Sequence, residues 1–368
     1  MPQYLAARER FHQVVAVNRR ARRQRLVLAA ASAMSVATLA VSGSAWMASG
    51  YVSSGLGRLD AGISGTPADG PVNVLVAAVD TRGGLTRRQQ LRLHVGAGAG
   101  TNTDTMMLVH IPADHQSVQA VSLPRDSWVK IPGHGMNKIN AAFGLGGPAL
   151  MVSTVERATG LRINDYVEID YLGFVHVIDA LGGVEVCLPF AVNDQDSGLH
   201  LSAGRHHVDG VTALKFARDR HSFAASDLAR IADQQQLMSS VLAQVTAADV
   251  ITNPLRLQQV LSSVTNSVTV DRGINVAKLA SEMRGIKPAD VSFTTVPIAT
   301  ADYRTPTGQS AVLWNQRAAA TLFHRVDTGN VLAGSPHQGR PGGRVAGQVV
   351  RSDPAPARPR TAAQDACR

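Results

Sequence analysis

Apolar positions fall into three regimes along the chain. Residues 26–52 carry no charged side chain, and the next one is Arg58. A membrane-spanning helix needs about 20 such residues, so this run predicts one N-terminal transmembrane helix. Residues 53–71 are rich in Gly and Ser and read as a linker. Beyond them, short apolar runs alternate with segments of helical spacing. Residues 72–79 are almost uninterruptedly apolar, as in a strand buried on both faces. Residues 105–111 and 118–123 predict two more strands joined by a short turn. The polar stretch 83–102, with alternating Gly and Ala at 96–100, reads as a loop, and a second loop leads to residues 137–143. A helix is expected over 147–159 with Gly160 as its stop. A strand (166–169), a helix (171–181) and another strand (184–188) follow.

Residues 213–218 read as a strand or extended arm, followed by a loop and a helix that Ser226 would cap. Helices near 254–265, 275–283 and 310–326 and a strand at 291–298 complete the pattern. From Asn330 the chain turns to Gly, Pro and Arg and reads as disordered. Strands alternating with helices argue a three-layer α/β architecture.

Charge sharpens this picture. The net charge is +9, but residues 1–25 hold seven arginines against one acid and residues 339–368 hold six against two. What remains between them is near neutral. A nucleic-acid domain would carry its own basic face, so no nucleic-acid partner is expected. The arginines before residue 26 place the N-terminus in the cytoplasm and everything after the span outside. A cleaved signal peptide ending near the small residues 42–45 is the alternative. The apolar character persists to Val52, which favours a retained anchor. Of the two cysteines, Cys187 and Cys367, the first lies in an apolar run and reads as a small buried hydrophobe, with a disulfide as the alternative.

Charged residues gather where the predicted strands end, which is where open α/β sheets build their sites. Asp80 and Arg82 follow the first strand, Asp104 opens the second, and Arg125 and Asp126 close the third. Two residues apart in an extended arm, Arg218 and Arg220 would point the same way. On the following helix, Asp227, Arg230 and Gln234 share a face. Carboxylates suit Mg²⁺, which combines one or two of them with substrate phosphates. Guanidinium forks match phosphate oxygens. Singly, each residue would pass for loop polarity or a surface ion pair. Together, Asp80 and Asp104 with Arg82, Arg125, Arg218, Arg220 and Arg230 form a metal–pyrophosphate constellation. There is no Walker A, GxSxG or HExxH motif.

Seven short motifs then appear in order. They are Asn73-Val74-Leu75 with Asp80-Thr81-Arg82, Thr103-Asp104-Thr105, and Ser122-Leu123-Pro124-Arg125-Asp126. Lys138-Ile139-Asn140, Asp179 through Glu185, Arg218-Asp219-Arg220, and Asp227 with Arg230 and Gln234-Gln235 complete the set. In this the chain resembles the LytR–CpsA–Psr family of cell-wall glycopolymer ligases. The resemblance implies a central mixed sheet in a three-layer α/β/α domain with an apolar channel for a polyprenyl chain. It implies Mg²⁺-dependent transfer of a glycopolymer from a polyprenyl-pyrophosphate carrier to a muramic-acid hydroxyl of peptidoglycan, through a phosphodiester.

By motif, Asp104 corresponds to the family's metal-side aspartate and Asp80 to its essential aspartate, a candidate metal ligand or base. Arg82, Arg125, Arg218, Arg220 and Arg230, with Lys138 and Gln234, correspond to the pyrophosphate-binding set. The implied organisation is a cytoplasmic tail (1–25), an anchor (26–52), a linker (53–71), an extracytoplasmic catalytic domain (72–328) and a disordered tail (329–368). Asp233 departs from the family pattern, standing where many members carry an arginine. An Ala/Gly/Arg-rich composition resembles that of actinobacteria, whose glycan would be arabinogalactan. A polyprenyl-pyrophosphate hydrolase using the same site, and a non-enzymatic membrane-bound regulator of the envelope, are the alternatives.

Overall fold

The computed structural model describes residues 56–63, 70–80, 85–96, 103–219, 226–247, 253–263, 268–275, 278–279, 282–283, 285–329 and 360–361. The expected anchor lies outside them. Among the described residues, no helix is long and apolar enough to cross a membrane.

Strand β1 (Gly57–Leu59) lies within the stretch read as a linker. The Arg58 guanidinium ties it down by donating to the carbonyls of Asp271, Arg272 and Ile274 at 3.1–3.3 Å. The continuous apolar run becomes β2 (Val72–Val79). Helix α1 (Arg87–Leu93) corrects the loop expected over 83–102. Its signal was readable, since Thr86 and Gln89 form a capping box in which each side chain bonds the other's backbone. Strands β3 (Thr103–Ile111) and β4 (Val118–Leu123) pair as expected. The loop expected before residue 137 contains a hairpin, β5 (Trp128–Ile131) and β6 (Gly135–Lys138).

Helix α2 (Ala141–Thr159) begins earlier than expected. Gly146 and Gly147 break it with non-helical backbone, and Pro148 starts its second segment, a position where proline's missing N–H costs nothing. Gly160 stops it at φ +75°. Strand β7 (Asp165–Ile169) and helix α3 (Tyr171–Ala180) follow, then β8 (Val184–Leu188), β9 (Val192–Asp194), β10 (Leu199–Leu201) and β11 (Gly204–Val208).

The arm expected at 213–218 is helical, namely α4 (Gly210–Arg218), with the Asp209 carboxylate accepting from Thr212 N. Its Val211, Ala213, Leu214 and Phe216 are buried, so tertiary packing selects the helix. Arg218 therefore ends a helix and does not alternate along a strand. Helix α5 (Ser226–Ala247) starts at the expected Ser226. Helix α6 (Pro254–Ser263) and strand β12 (Val268–Asp271) come next. Helical bonds from Leu279 N to Asn275 O and Met283 N to Leu279 O fit the expected helix there. The strand expected at 291–298 divides into β13 (Val291–Thr295) and the start of β14 (Ile298–Arg304). The helix expected over 310–326 is corrected to β15 (Ser310–Trp314) followed by α7 (Gln316–Asp327), because the Asn315 carboxamide caps Ala318 N and restarts the chain as a helix. Strand β16 (Arg360–Thr361) pairs with β13.

The main sheet is mixed, in the order β1-β12-β7-β2-β3-β4-β13-β16. Strand β2 sits inside it, parallel to β7 and antiparallel to β3. Leu75 and Ala77 face one side, packed with Met106, Leu108 and Val121 beneath α2 and α7. Val74 and Val76 face the other, toward Met107 and the α5 residues Met238 and Leu242. Helices on both faces explain why β2 shows no polar alternation.

Cys187 is buried as expected, but it is not a simple hydrophobe, because it is disulfide-bonded. The packing of α4 on α3 is tighter still. A Cβ on Gly210 would stand 2.3 Å from the Val175 carbonyl oxygen and 2.8 Å from its Cα, both main-chain atoms. Gly210→Ala is therefore expected to destabilise the fold by about 1–3 kcal/mol. Urea denaturation measures this, and an unchanged midpoint would show that the two helices can part at no cost.

Candidate active site

The site grows from an irregularity in the β2–β3 ladder. Ala78 pairs with Thr105, but Val79 pairs with Thr103. Asp104 is the extra residue of a bulge, a feature that re-aims side chains beside active sites. Asp104 and its neighbour Thr105 accordingly both line one cavity, which regular alternation would forbid. On β2 the alternation holds, and Val76, Ala78 and Asp80 line that cavity together.

Asp104 is held from two sides. Its Oδ1 pairs with Arg125 Nη1 at 2.8 Å, and its Oδ2 accepts from the Tyr171 hydroxyl at 2.8 Å. Burial first, then the charges of Asp104 and Asp80, push the Tyr171 phenol up. It stays protonated and keeps donating. Arg125 also faces Asp126 at 3.5 Å, and Lys138 Nζ closes on the other Asp126 oxygen at 2.9 Å. The turn bearing Arg125 is fixed from below, where the buried Ser127 hydroxyl donates to Pro124 O at 2.6 Å and accepts from Trp314 Nε1 at 2.8 Å. Arg218 stacks over the Tyr171 ring, 5.4 Å from its centroid, a cation–π contact. Its Nη1 donates to the carbonyls of Leu93 and His94, each at 3.3 Å.

The cavity has a volume of about 490 Å³. Its polar lining joins Asp80, Asp104, Arg125 and Asp170 near strand ends to Arg218 and Gln234 from helices and Asp196 and Ser197 from a turn. Val76, Met107, Phe174, Leu214 and Met238 give it an apolar lining as well. Val76 lies four residues before Asp80, roughly 13 Å along the strand.

Of the sequence-predicted residues, Asp80, Asp104, Arg125, Arg218 and Gln234 line this one cavity. Lys138 is one ion pair removed, through Asp126. Arg230 lies on α5, but its side chain is outside the described residues, as are Arg82 and Arg220. Sequence reasoning missed Tyr171, Asn140, Asp170, Asp196 and Ser197, which share the lining. Asp170 and Tyr171 directly follow β7, so the strand-end rule could have found them. The Asp170 carboxyl caps α3 by accepting from Gly173 N at 2.6 Å, while burial raises its pKa.

Helix α5 is anchored by the buried Gln235, whose Nε2 faces Ser122 Oγ and Thr295 Oγ1 at 3.1 Å and Thr294 O at 3.3 Å. This spans β4 and β13 and sets the rotation of the helix that presents Gln234. One residue earlier, Asp233 is buried close to the buried Asp219. Burial, and then the Asp219 charge, push Asp233 up to about 7. This carboxyl is therefore partly neutral near pH 7.

Two carboxylates opening on one cavity, beside arginines able to take phosphate oxygens, match the donor set that Mg²⁺ shares with a substrate. Among the described residues there is no cluster of three or more His, Cys, Asp or Glu side chains suited to a metal. Such a site would draw its remaining ligands from water and substrate.

Comparison with known proteins gives the family and the fold. The LytR_cpsA_psr family matches residues 52–325, and the chain belongs to that family. It is 33% identical over 316 residues to the cell wall biosynthesis protein LcpA of Corynebacterium glutamicum, covering 76% of this chain and 61% of LcpA. It is 32% identical over 233 residues to the polyisoprenyl-teichoic acid–peptidoglycan teichoic acid transferase TagU of Oceanobacillus iheyensis, covering 62% of this chain and 66% of TagU. The chain thus spans about two thirds or less of the length of these relatives. Its fold is that of the crystal structure of B. subtilis TagV, with a TM-score of 0.59 at 20% identity over 71% of this chain and 98% of that one.

The Asp233 environment makes a pH prediction. Its folded-state pKa lies above the unfolded value, so the folded protein keeps a proton that the unfolded chain gives up. The stability this contributes is complete below about pH 4 and is lost as the pH rises through about 7. Asp233→Asn removes the titration. The variant is expected to gain on the wild type between pH 4 and 8, by on the order of a few kcal/mol. Denaturation curves that stay parallel across that range would contradict it.

Proposed function

We propose that this member of the LytR_cpsA_psr family transfers a glycopolymer from a polyprenyl-pyrophosphate carrier to peptidoglycan, forming a phosphodiester to a muramic-acid hydroxyl. The observation that carries this reading is the double character of one cavity. Asp80, Asp104, Arg125 and Arg218 line the same space as the apolar Val76, Met107, Phe174 and Met238. A lipid pyrophosphate has the same two halves. The name of TagU supports the class of carrier and acceptor, and that of LcpA supports a role in the cell wall.

The arginine-flanked apolar run at residues 26–52 supports a membrane anchor with the domain outside the cell. The disulfide at Cys187 suits that oxidising side. The Ala/Gly/Arg-rich composition supports arabinogalactan as the polymer.

The residues divide the work. Arg125 and Arg218 take phosphate oxygens, with Gln234 beside them. By motif, Arg82, Arg220, Arg230 and Lys138 would join them in binding the pyrophosphate. Asp80 and Asp104 would hold Mg²⁺, which when bound spreads the charge of the pyrophosphate. Tyr171 keeps the Asp104 carboxylate oriented through its 2.8 Å bond. The acceptor hydroxyl attacks the phosphorus attached to the glycan, and the bond from that phosphorus to the bridging oxygen breaks. Polyprenyl phosphate leaves, taking up the proton of the hydroxyl. A loose transition state asks little of a base, so positioning and charge stabilisation supply most of the rate.

The test uses the full chain in detergent with a short polyprenyl-pyrophosphate glycan and peptidoglycan fragments, with Mg²⁺ or with EDTA. Mass spectrometry is expected to find glycan phosphate joined to muramic acid only when Mg²⁺ is present. Arg218→Ala and Arg125→Ala are each expected to slow this at least about a hundredfold, and Arg125→Ala also to lower the thermal midpoint because it leaves Asp104 without its cation. Free glycan phosphate without an adduct would convert the reading to hydrolysis. Full activity in both variants would remove the cavity from consideration.

A further inference from the structure

Helix α1 presents a surface that the chemistry above does not use. Its residues, Arg87 to Leu93, include three arginines and no acid. Arg87, Arg88, Leu91 and Arg92 are all exposed, Leu91 to 67%. At helical spacings of three and four, Arg88 neighbours Leu91 and Arg92, and Arg87 neighbours Leu91. One face of α1 is therefore a large apolar side chain flanked by guanidinium groups. The opposite face is fixed to the domain, where Leu93 is buried in a cluster with Tyr171, Val175 and Leu214. Asp209, the cap of α4, feels the charge of Arg92 and offsets part of it.

This face stands at the cavity end of the sheet. Tyr171 and Leu214, which pack on Leu93, also line the cavity, and Arg218 reaches the carbonyls at the end of α1. The first strand begins at the same end. Gly57 pairs with Thr269, Thr269 with Glu168, and Glu168 with Ala77. One step back along β1 therefore moves toward the level of Ile169 and Ala78, and so toward Asp80. Leu56 is accordingly buried in a cluster with Val268 and Ile169, and Ile169 lines the cavity. Residues 53–55 alone separate Leu56 from the apolar run that ends at Val52. A chain anchored through residues 26–52 would enter the domain at its cavity end.

An exposed leucine among arginines suits a lipid surface better than a soluble polyanion, because leucine gains only where it leaves water. Anionic headgroups strengthen such contacts by about fivefold for each arginine near the surface. We propose that α1 is a membrane-contact helix. Leu91 enters the headgroup layer, and Arg87, Arg88 and Arg92 meet anionic lipid phosphates, which turns the cavity end of the sheet toward the bilayer. This rests on the reading of residues 26–52 as an anchor.

The test attaches an environment-sensitive NBD fluorophore to Leu91→Cys or to Ala113→Cys in the full chain reconstituted into vesicles. Ala113 is exposed in the turn after β3, at the end of that strand opposite Asp104. Cys187 is disulfide-bonded, so labelling without reductant targets the new thiol, and the unsubstituted chain serves as the blank. The vesicles are phosphatidylcholine with or without phosphatidylglycerol, carrying a doxyl lipid as quencher near the headgroups. Anionic vesicles are expected to quench position 91 at least about twofold and to leave position 113 unchanged. Arg87→Gln, Arg88→Gln and Arg92→Gln together are expected to remove most of that quenching. Equal quenching at both positions would mean that the domain turns freely, and none at 91 would mean that α1 stays in water. Either result overturns the proposal, as does quenching at 91 that ignores both the lipid charge and the arginine changes. A response at 91 to soluble heparin and none to vesicles would assign the face to an acidic polymer instead. Alkaline carbonate separates this inference from the one beneath it. Protein released from the vesicles would remove the anchor and this inference with it, whereas retained protein with a silent position 91 would remove only the membrane-contact helix.

Discussion

Everything at the site depends on the carboxylate of Asp104. The bulge in β3 takes it out of the alternation that would have turned it into the core. Once turned to the cavity, it needs compensation, because a partly enclosed charge loses its hydration. Arg125 and Tyr171 provide that, one to each oxygen at 2.8 Å. Those bonds join the end of β3, the turn after β4 and the first residue of α3. Arg218, at the end of α4, then stacks on Tyr171. Four segments distant in sequence are thus linked through one carboxylate and one phenol, and the turn bearing Arg125 is secured from behind by the buried bond from Trp314 to Ser127.

The apolar half of the cavity follows from the same sheet. A sheet covered on both faces has apolar side chains wherever helices press on it. Where α5 packs over Val76 and Met107, the lining of the cavity is apolar. Charged strand ends and an apolar lining are thus consequences of one geometry. Charges at the rim interact more strongly because low-dielectric walls stand behind them.

Asp233 shows how burial handles a carboxyl on α5. Desolvation, and then the Asp219 charge, move its proton equilibrium toward neutrality, so near pH 7 it carries only part of a full negative charge.

A good deal of this was legible in the sequence. Strands without alternation announced a doubly covered sheet, since burial on both faces leaves no polar side. Asp80, Asp104, Arg125 and Gln234 were found because strand ends and helix faces follow from local periodicity. Some local signals were present but passed over, among them the Thr86 and Gln89 capping box and the Asn315 cap. What the tertiary structure alone decided concerns groups whose conformation depends on distant partners. Residues 213–218 become helical because Leu214 and Phe216 are buried against other elements. The Asp104 bulge depends on how two strands register, which no single strand encodes. Tyr171, Ser197 and the neutral tendency of Asp233 depend on proximity across the fold. Burial and pairing of that kind arise only when the chain has closed on itself.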